Sequence, residues 1–381
     1  MAFSHSDHDM LVPKLARIAL YGSTSGDVVD PVKLAVSVGV QPETARSLIE
    51  ALARAGFVAR GPDGRWRRTA RPVRLLAIDL GGTKLHVALV DETGHTLVER
   101  IEATNKRGGR AVIDQIGMLC DDIAVEAGLR RSEIAAAALG SPGTVQPLTG
   151  RIVMAPNIAD FDTFDVAGAI RARLALPIRI ENDVNMAALG EQAEGAAKAI
   201  ENFALVALGT GIGLGLVLNG ALVRGATGLA GEIALMPIGA DPFAASSHRL
   251  GPLETAIGSE GLVRSARQSG LEAVDDVETL FKLARSGNGK AASVIADAAR
   301  TLFLALGAVK AIVDPELIIL SGSIGMQPEV LEHLCQIASG HPFAPRLAVS
   351  TLDGRAAIAG AASCALAEAL RTEPMRTRGA A

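Results

Sequence analysis

The spacing of apolar positions changes character partway along the chain. Leu11, Leu15, Ile18 and Ala19 recur at helical intervals and predict an amphipathic helix over about residues 9–22. Asp30-Pro31 supplies an N-cap and a proline for the first helical position, so a short helix should run from there to Gly39. Gln41-Pro42 opens a third helix, TARSLIEALARAG, which ends at Gly56 and turns Leu48, Ile49 and Leu52 inward. FVAR, GPDG and RWRRT then read as strand, turn and strand. From Leu75 onward, apolar runs of strand length (LLAIDL, IAAAALG, PIRIEN, ELIIL) alternate with helical patterns, which predicts an α/β body. The run 203–223 is uncharged and long enough to span a bilayer. It holds five glycines, however, and Asn219-Gly220 is a hairpin turn signal, so paired strands are expected and no membrane segment.

Two helices joined by a short glycine-containing turn and followed by a hairpin make a winged helix-turn-helix, mainly α, over residues 1–72. Its last helix would enter the major groove, with Thr44, Arg46 and Ser47 nearest the bases. Arg65, Arg67 and Arg68, around Trp66, would bring the wing to DNA phosphates. The charge distribution agrees. The net charge of −4 excludes a chain coated in nucleic acid along its length, but residues 1–74 carry 11 Lys+Arg against 7 Asp+Glu, leaving the body acidic. Glu43 and Glu50 reduce the positive potential of the last helix. A helical dimerisation module with a solvated basic hairpin is the other reading. Arg71-Pro72 closes the module without a long linker, and residues 73–381 form the body. The three cysteines are far apart and show no metal or disulfide spacing. The polar N-terminus lacks the order of a signal peptide. A cytoplasmic location is expected.

Two glycine loops carry the chemistry of the body. AIDLGGTK and LGTGIGLG each lie between strands. Leu214 breaks the dinucleotide fingerprint after Gly209-Thr210-Gly211, and no phosphate-loop motif with its lysine occurs. Each loop still offers backbone N–H groups and a threonine hydroxyl, Thr83 and Thr210, and two such hairpins can clamp the phosphates of a nucleotide. Asp79 would orient Mg²⁺ or its water shell. Phosphoryl transfer to a hydroxyl also needs a carboxylate to take the proton. Asp183, at a helix start after a buried strand and beside Glu181, Asn182 and Asn185, suits that role. A helix N-terminus also favours an acid there for its dipole alone.

DLGGTK, SPG, ENDVN, LGTGIG, GLAGEI and LSGSIG, in this order, resemble the ROK family of repressors, uncharacterised frames and sugar kinases. The resemblance covers residues 74–381, and the winged helix in front resembles the family's transcriptional-regulator branch. It implies an actin-like (ribonuclease H-like, hexokinase-type) two-lobed domain. By resemblance, Asp79, Gly81, Gly82, Thr83, Lys84, Gly209, Thr210 and Gly211 would hold nucleotide phosphates, and Gly322 would lie near the adenosine. Asn157, Asn182, Asp183 and Glu232 would contact a sugar between the lobes; Asn157 also reads as a turn residue after Pro156. Asp183 would be the catalytic base if the chain were an ATP- and Mg²⁺-dependent sugar kinase.

This sequence departs from the family pattern in one segment. Leu235 occupies the position of the family's usual histidine, and no cysteine lies between Cys120 and Cys335. His248, expected on a surface loop, cannot make a zinc site alone. Phe161 stands where the family usually has tryptophan. The expectation is therefore a regulator that needs no zinc or other cofactor, binds operator DNA, answers to a sugar or sugar phosphate, and works as a homodimer or homotetramer. A sugar kinase is the alternative. If the first loop is only inherited, Gly82→Val should block nucleotide and spare a sugar response.

Overall fold

The computed structural model describes residues 27–371 apart from 39, 70, 71, 148, 156 and 353. The expected helix over 9–22 and the junction residue Arg71 lie outside the described residues. The chain divides into two compact units, 1–193 with 357–381, and 194–356.

The first unit begins with a helix pair. Asp30 caps the helix Pro31–Val38: its Oδ1 accepts the N–H groups of Val32 and Lys33, at 2.8 and 3.3 Å. The helix Pro42–Arg54 buries Ala45, Leu48, Ile49 and Leu52, the inward face that the spacing predicts. β1 (Val58–Arg60) and β2 (Trp66–Arg68) then pair antiparallel, with the turn closed by Gly61 N–H donating to Arg65 O at 2.8 Å. Val29 N–H donates to Trp66 O, so the chain entering the helix pair is laced to the hairpin that leaves it.

β3 (Leu75–Leu80), β4 (Lys84–Val90), β5 (Thr96–Ala103), β6 (Ala136–Ser141) and β9 (Ile178–Asn182) form a sheet in the order β5-β4-β3-β6-β9. β7 (Thr144–Val145) and β8 (Ile152–Val153) make a small hairpin beside it. The helices Gly109–Glu126 and Val166–Leu174 bury their apolar stripes against the sheet. In the second unit, β10 (Phe203–Leu208), β11 (Ile212–Leu218), β12 (Ala221–Leu222), β13 (Leu317–Ser321) and β14 (Leu347–Val349) repeat the arrangement as β12-β11-β10-β13-β14. In both sheets the first three strands in sequence pair antiparallel and the later two join in parallel. This duplicated sheet is the actin-like, sugar-kinase type of fold.

The uncharged run 203–223 is thus β10 to β12. Asn219 and Gly220 both adopt positive φ, 48° and 74°, as a two-residue hairpin turn of matching twist requires. Among the described residues, the helix Gly289–Val313 is long and apolar enough to cross a membrane. Its Leu302, Phe303, Leu306 and Val309 instead lie in the core of the second unit.

The chain re-enters the first unit in the helix Ala356–Arg371. An ideal Cβ on Gly360 would lie 1.8 Å from Met186 O, so this helix crosses the helix Asp183–Ala193 at backbone contact. Gly360→Ala should therefore lower the melting temperature. The clash, costing about 1–3 kcal/mol, should outweigh the gain of about 1 kcal/mol in helix propensity. Calorimetry checks it; an unchanged or higher melting temperature would contradict the packing.

Candidate functional site

In the first unit, strand register assembles the candidate residues. β3, β6 and β9 are parallel neighbours, with Asp79 opposite Gly140 and Ser141 opposite Asn182. The C-terminal ends of three adjacent strands therefore present Asp79, the Ser141-Pro142-Gly143 turn and Asn182-Asp183 at one edge, where α/β sheets commonly place ligands. The glycine loop closes tightly: Gly81 N–H donates to Lys84 O at 2.8 Å. Thr104 anchors it, with Oγ1 donating to Gly81 O at 2.7 Å and N–H to Thr83 O at 3.1 Å. Gly82, Thr83 and Lys84 are exposed. A Cβ on Gly82 would lie 3.0 Å from Asn157 Cβ and 3.1 Å from its carbonyl oxygen, so Asn157 packs on the loop itself.

Asn182 is committed locally. Its Oδ1 accepts the N–H groups of Val184 and Asn185, at 3.0 and 3.1 Å, and its Nδ2 donates to Gly143 O at 3.1 Å. One amide hydrogen remains for a ligand. Asp183 Oδ1 accepts the Val184 N–H at 2.9 Å. Behind them Glu181 is buried, accepting from Asn185 Nδ2 at 3.2 Å, with Arg179 at 3.7 Å. Burial pushes the Asp79 carboxyl above its ordinary range, while Lys84 and His86 pull it down. His86 faces Asp79 across the β3–β4 pair, is buried, and meets Glu99 with Nε2 at 2.9 Å from Oε2.

The second unit holds Gly209, Thr210, Gly211, Glu232 and Gly322, which join with one residue that sequence reasoning missed. Glu254 Oε2 accepts the Ile212 N–H at 2.9 Å, and a Cβ on Gly211 would lie 2.6 Å from that oxygen. Glycine at 211 leaves room for the carboxylate. Ser259 Oγ donates to Gly209 O at 2.8 Å, tying the loop to the following helix. Gly322 has φ +84°, and a Cβ there would lie 2.4 Å from Leu208 O. Burial raises the Glu254 carboxyl above its ordinary range; the Ile212 N–H opposes this, and the charges of Glu232 and Glu260 add to it. In sequence, Glu254 reads as an ordinary acid in the first turn of the helix Pro252–Ile257.

Leu235 is exposed, and His248 is exposed on the helix Ala245–Leu250 rather than on a loop. Among the described residues no group of three His, Cys, Asp or Glu side chains could hold a metal ion. The donor set therefore does not fit a zinc site in this segment. Phe161 is fully buried in the core of the first unit.

The DNA candidates divide. Arg46 and Arg65 are exposed, and Thr44 and Ser47 half-buried. Arg67 pairs with Asp63 at 2.7 Å and holds its carboxyl below the ordinary range. Arg68 pairs with the buried Glu92 in the β4–β5 turn. That contact makes it a tie between the hairpin and the body. Arg60 stacks over Trp66, 4.7 Å from the ring centre.

Residues 75–368 match the ROK family. The chain belongs to the ROK family. It is 30% identical over 273 residues to a glucokinase of Halalkalibacterium halodurans, covering 67% of this chain and 82% of that protein. To the xylose repressor of Caldicellulosiruptor bescii it is 23% identical over 375 residues, covering 90% of this chain and 93% of the repressor. A ROK family transcriptional regulator, described as a homolog of the E. coli MLC protein, shares the fold with a TM-score of 0.74 at 20% identity, over 95% of this chain and 97% of that one. The likeness in fold to a ROK regulator thus extends well beyond the stretch that matches the family.

Two outcomes follow from this geometry. A carboxyl with a raised folded-state pKa favours folding most below its unfolded value, and that contribution is lost as pH rises through the folded value. Asp79→Asn should therefore raise the melting temperature at neutral pH, with the difference vanishing below about pH 4. A thermal-shift series across pH checks the sign. A side chain at Gly82 would press on Asn157, so Gly82→Val should weaken any binding of a nucleotide at the loop and of a sugar at Asn157 together, by at least about tenfold, a loss of roughly 1.4 kcal/mol, which calorimetric titration with each ligand would measure.

Proposed function

We propose that this ROK protein is a sugar-responsive, DNA-binding transcriptional regulator of carbohydrate metabolism, acting as a repressor. The observation that carries the reading is the N-terminal helix pair and basic hairpin, read as a winged helix-turn-helix and tied to the body through Arg68 and Glu92. The match to a xylose repressor over 90% of the chain supports it. So does Leu235, an apolar side chain where a sugar-contacting histidine is expected. In this reading the sugar-contact candidates are Asn157, Asn182, Asp183 and Glu232, and no zinc is required. Operator DNA is the macromolecular partner, and a homodimer reads two half-sites.

A second reading, an ATP-dependent sugar kinase, is favoured by the anchored glycine loops and by the 30% identity to a glucokinase. There the loop N–H groups and Thr83 and Thr210 would bind phosphates, Asp79 would serve Mg²⁺, and Asp183 would take the hydroxyl proton. Sustained ATP-dependent phosphorylation across a sugar panel would favour this reading over the regulator.

Binding measured against salt tests the DNA assignment. Arg65→Ala should weaken binding to all sequences and lower the salt slope by about 0.9 per lost phosphate contact. Arg46→Ala or Thr44→Ala should instead change sequence preference. Asp183→Ala should remove the sugar response, a coupling of about 1–3 kcal/mol, and leave sugar-free DNA binding intact. If a chain lacking residues 1–72 bound operator as well as the full chain, the regulator assignment would fail.

A further inference from the structure

The helix Gly109–Glu126 starts with charges of the wrong sign for its dipole. Gly108 supplies no side-chain cap, no acid stands in the first turn, and Arg107 and Arg110 flank the start, both exposed. A helix N-terminus favours negative charge, so two cations there work against folding. They line a hollow of about 450 Å³ in the first unit, together with Asp114, Asp160, Thr163 and Phe164. Among the described residues neither guanidinium forms an ion pair, although Asp114 stands one turn beyond Arg110 and Asp160 shares the hollow. Arg110 instead lies over the Phe164 ring, 5.1 Å from its centre. Stacking of this kind engages the face of the guanidinium and leaves its N–H donors, which lie in the plane, for another group.

The hollow stands beside a sugar-contact candidate. A Cβ on Gly108 would lie 2.0 Å from Ala159 O, and the Gly109 N–H donates to that oxygen at 2.8 Å. The helix start is therefore pressed on the turn that carries Asn157, and Gly82 presses on the same turn at Asn157 itself. We infer that this hollow binds the phosphate of a phosphorylated sugar, with Arg107 and Arg110 donating to the phosphate oxygens. Guanidinium forks match phosphate in shape and charge, and the volume is within the range of small-molecule sites. Asp114 and Asp160 repel a free anion but accept protons from hydroxyl groups. Thr163 Oγ1 donates to Asp160 O at 2.9 Å and keeps its lone pairs for a further hydroxyl. The set therefore favours a phosphate carried on a polyhydroxy body over inorganic phosphate. The inference rests on the sugar-responsive reading above and gives it a phosphorylated effector.

Calorimetric titration of the full chain at fixed ionic strength tests it, with glucose 6-phosphate, fructose 6-phosphate and ribose 5-phosphate, the three free sugars, and inorganic phosphate. The tightest ester should bind at least about tenfold better than its free sugar and than inorganic phosphate. Arg107→Ala and Arg110→Ala should each weaken that ester by at least about tenfold and leave the free sugar unaffected. Melting of the ligand-free variants should be unchanged or higher, since each loses a cation at a helix N-terminus. Asp160→Asn should tighten inorganic phosphate several-fold by removing a repulsion. Asparagine tolerates the φ of 54° at that position, and a misfolded variant would not gain affinity. Inorganic phosphate binding as tightly as every ester would overturn the phosphorylated sugar. Unchanged ester affinity in the Arg107→Ala, Arg110→Ala double variant would reject the hollow and leave the regulator reading standing, which operator binding decides separately.

Discussion

The side-chain amide of Asn182 holds the first-unit site together. Its oxygen caps the helix that begins at Asp183, and its nitrogen holds the Gly143 carbonyl of the neighbouring turn. One residue thereby fixes where β9 ends, where the helix starts and how the Ser141-Pro142-Gly143 turn lies against it. The direction of the Asp183 carboxylate follows from that cap. Glu181 holds the arrangement from below, and the helix Ala356–Arg371 holds it from behind at Gly360. The arrangement is thus held by the protein's own hydrogen bonds and packing.

The second unit uses a carboxylate in a comparable way. Glu254 receives the Ile212 N–H and occupies the space left by Gly211, so the loop carrying Thr210 is shaped by a residue more than forty positions away in sequence. After burial, repulsion by the Glu232 charge helps hold the Glu254 carboxyl above its ordinary range. A ligand offering hydroxyl donors would relieve that repulsion by hydrogen bonding, whereas an anion would increase it. In the first unit, Gly82 and Asn157 touch, so the shape of the glycine loop and the position of Asn157 bear on each other through packing.

Much of this was legible in the chain. Period and caps predicted both described N-terminal helices, because Asp30 and the prolines at 31 and 42 act through local hydrogen bonds and fixed φ. Turn chemistry identified the hairpin at Asn219-Gly220, since only residues tolerant of positive φ close so short a loop. The order of motifs was enough for the family, because all of them but GLAGEI sit at a strand end and strand order follows the alternation of elements. The charge excess of residues 1–74 likewise singled out a basic N-terminal module on an acidic body.

Tertiary structure decided which side chains are available. Arg65, Arg67 and Arg68 look alike in sequence, yet the fold sets Asp63 beside one and the buried Glu92 beside another, and leaves Arg65 exposed. The sequence does not show that the Asn182 side chain also caps a helix, and Glu254 reads as a helix-start acid until its contact with the Ile212 N–H is seen. Local propensity depends on a few neighbouring residues, so the sequence by itself determined the elements, their caps and the family. Burial, pairing and loop shape depend on residues far apart in the chain. Only the folded molecule therefore decided that Gly82 touches Asn157 and that Gly360 meets Met186.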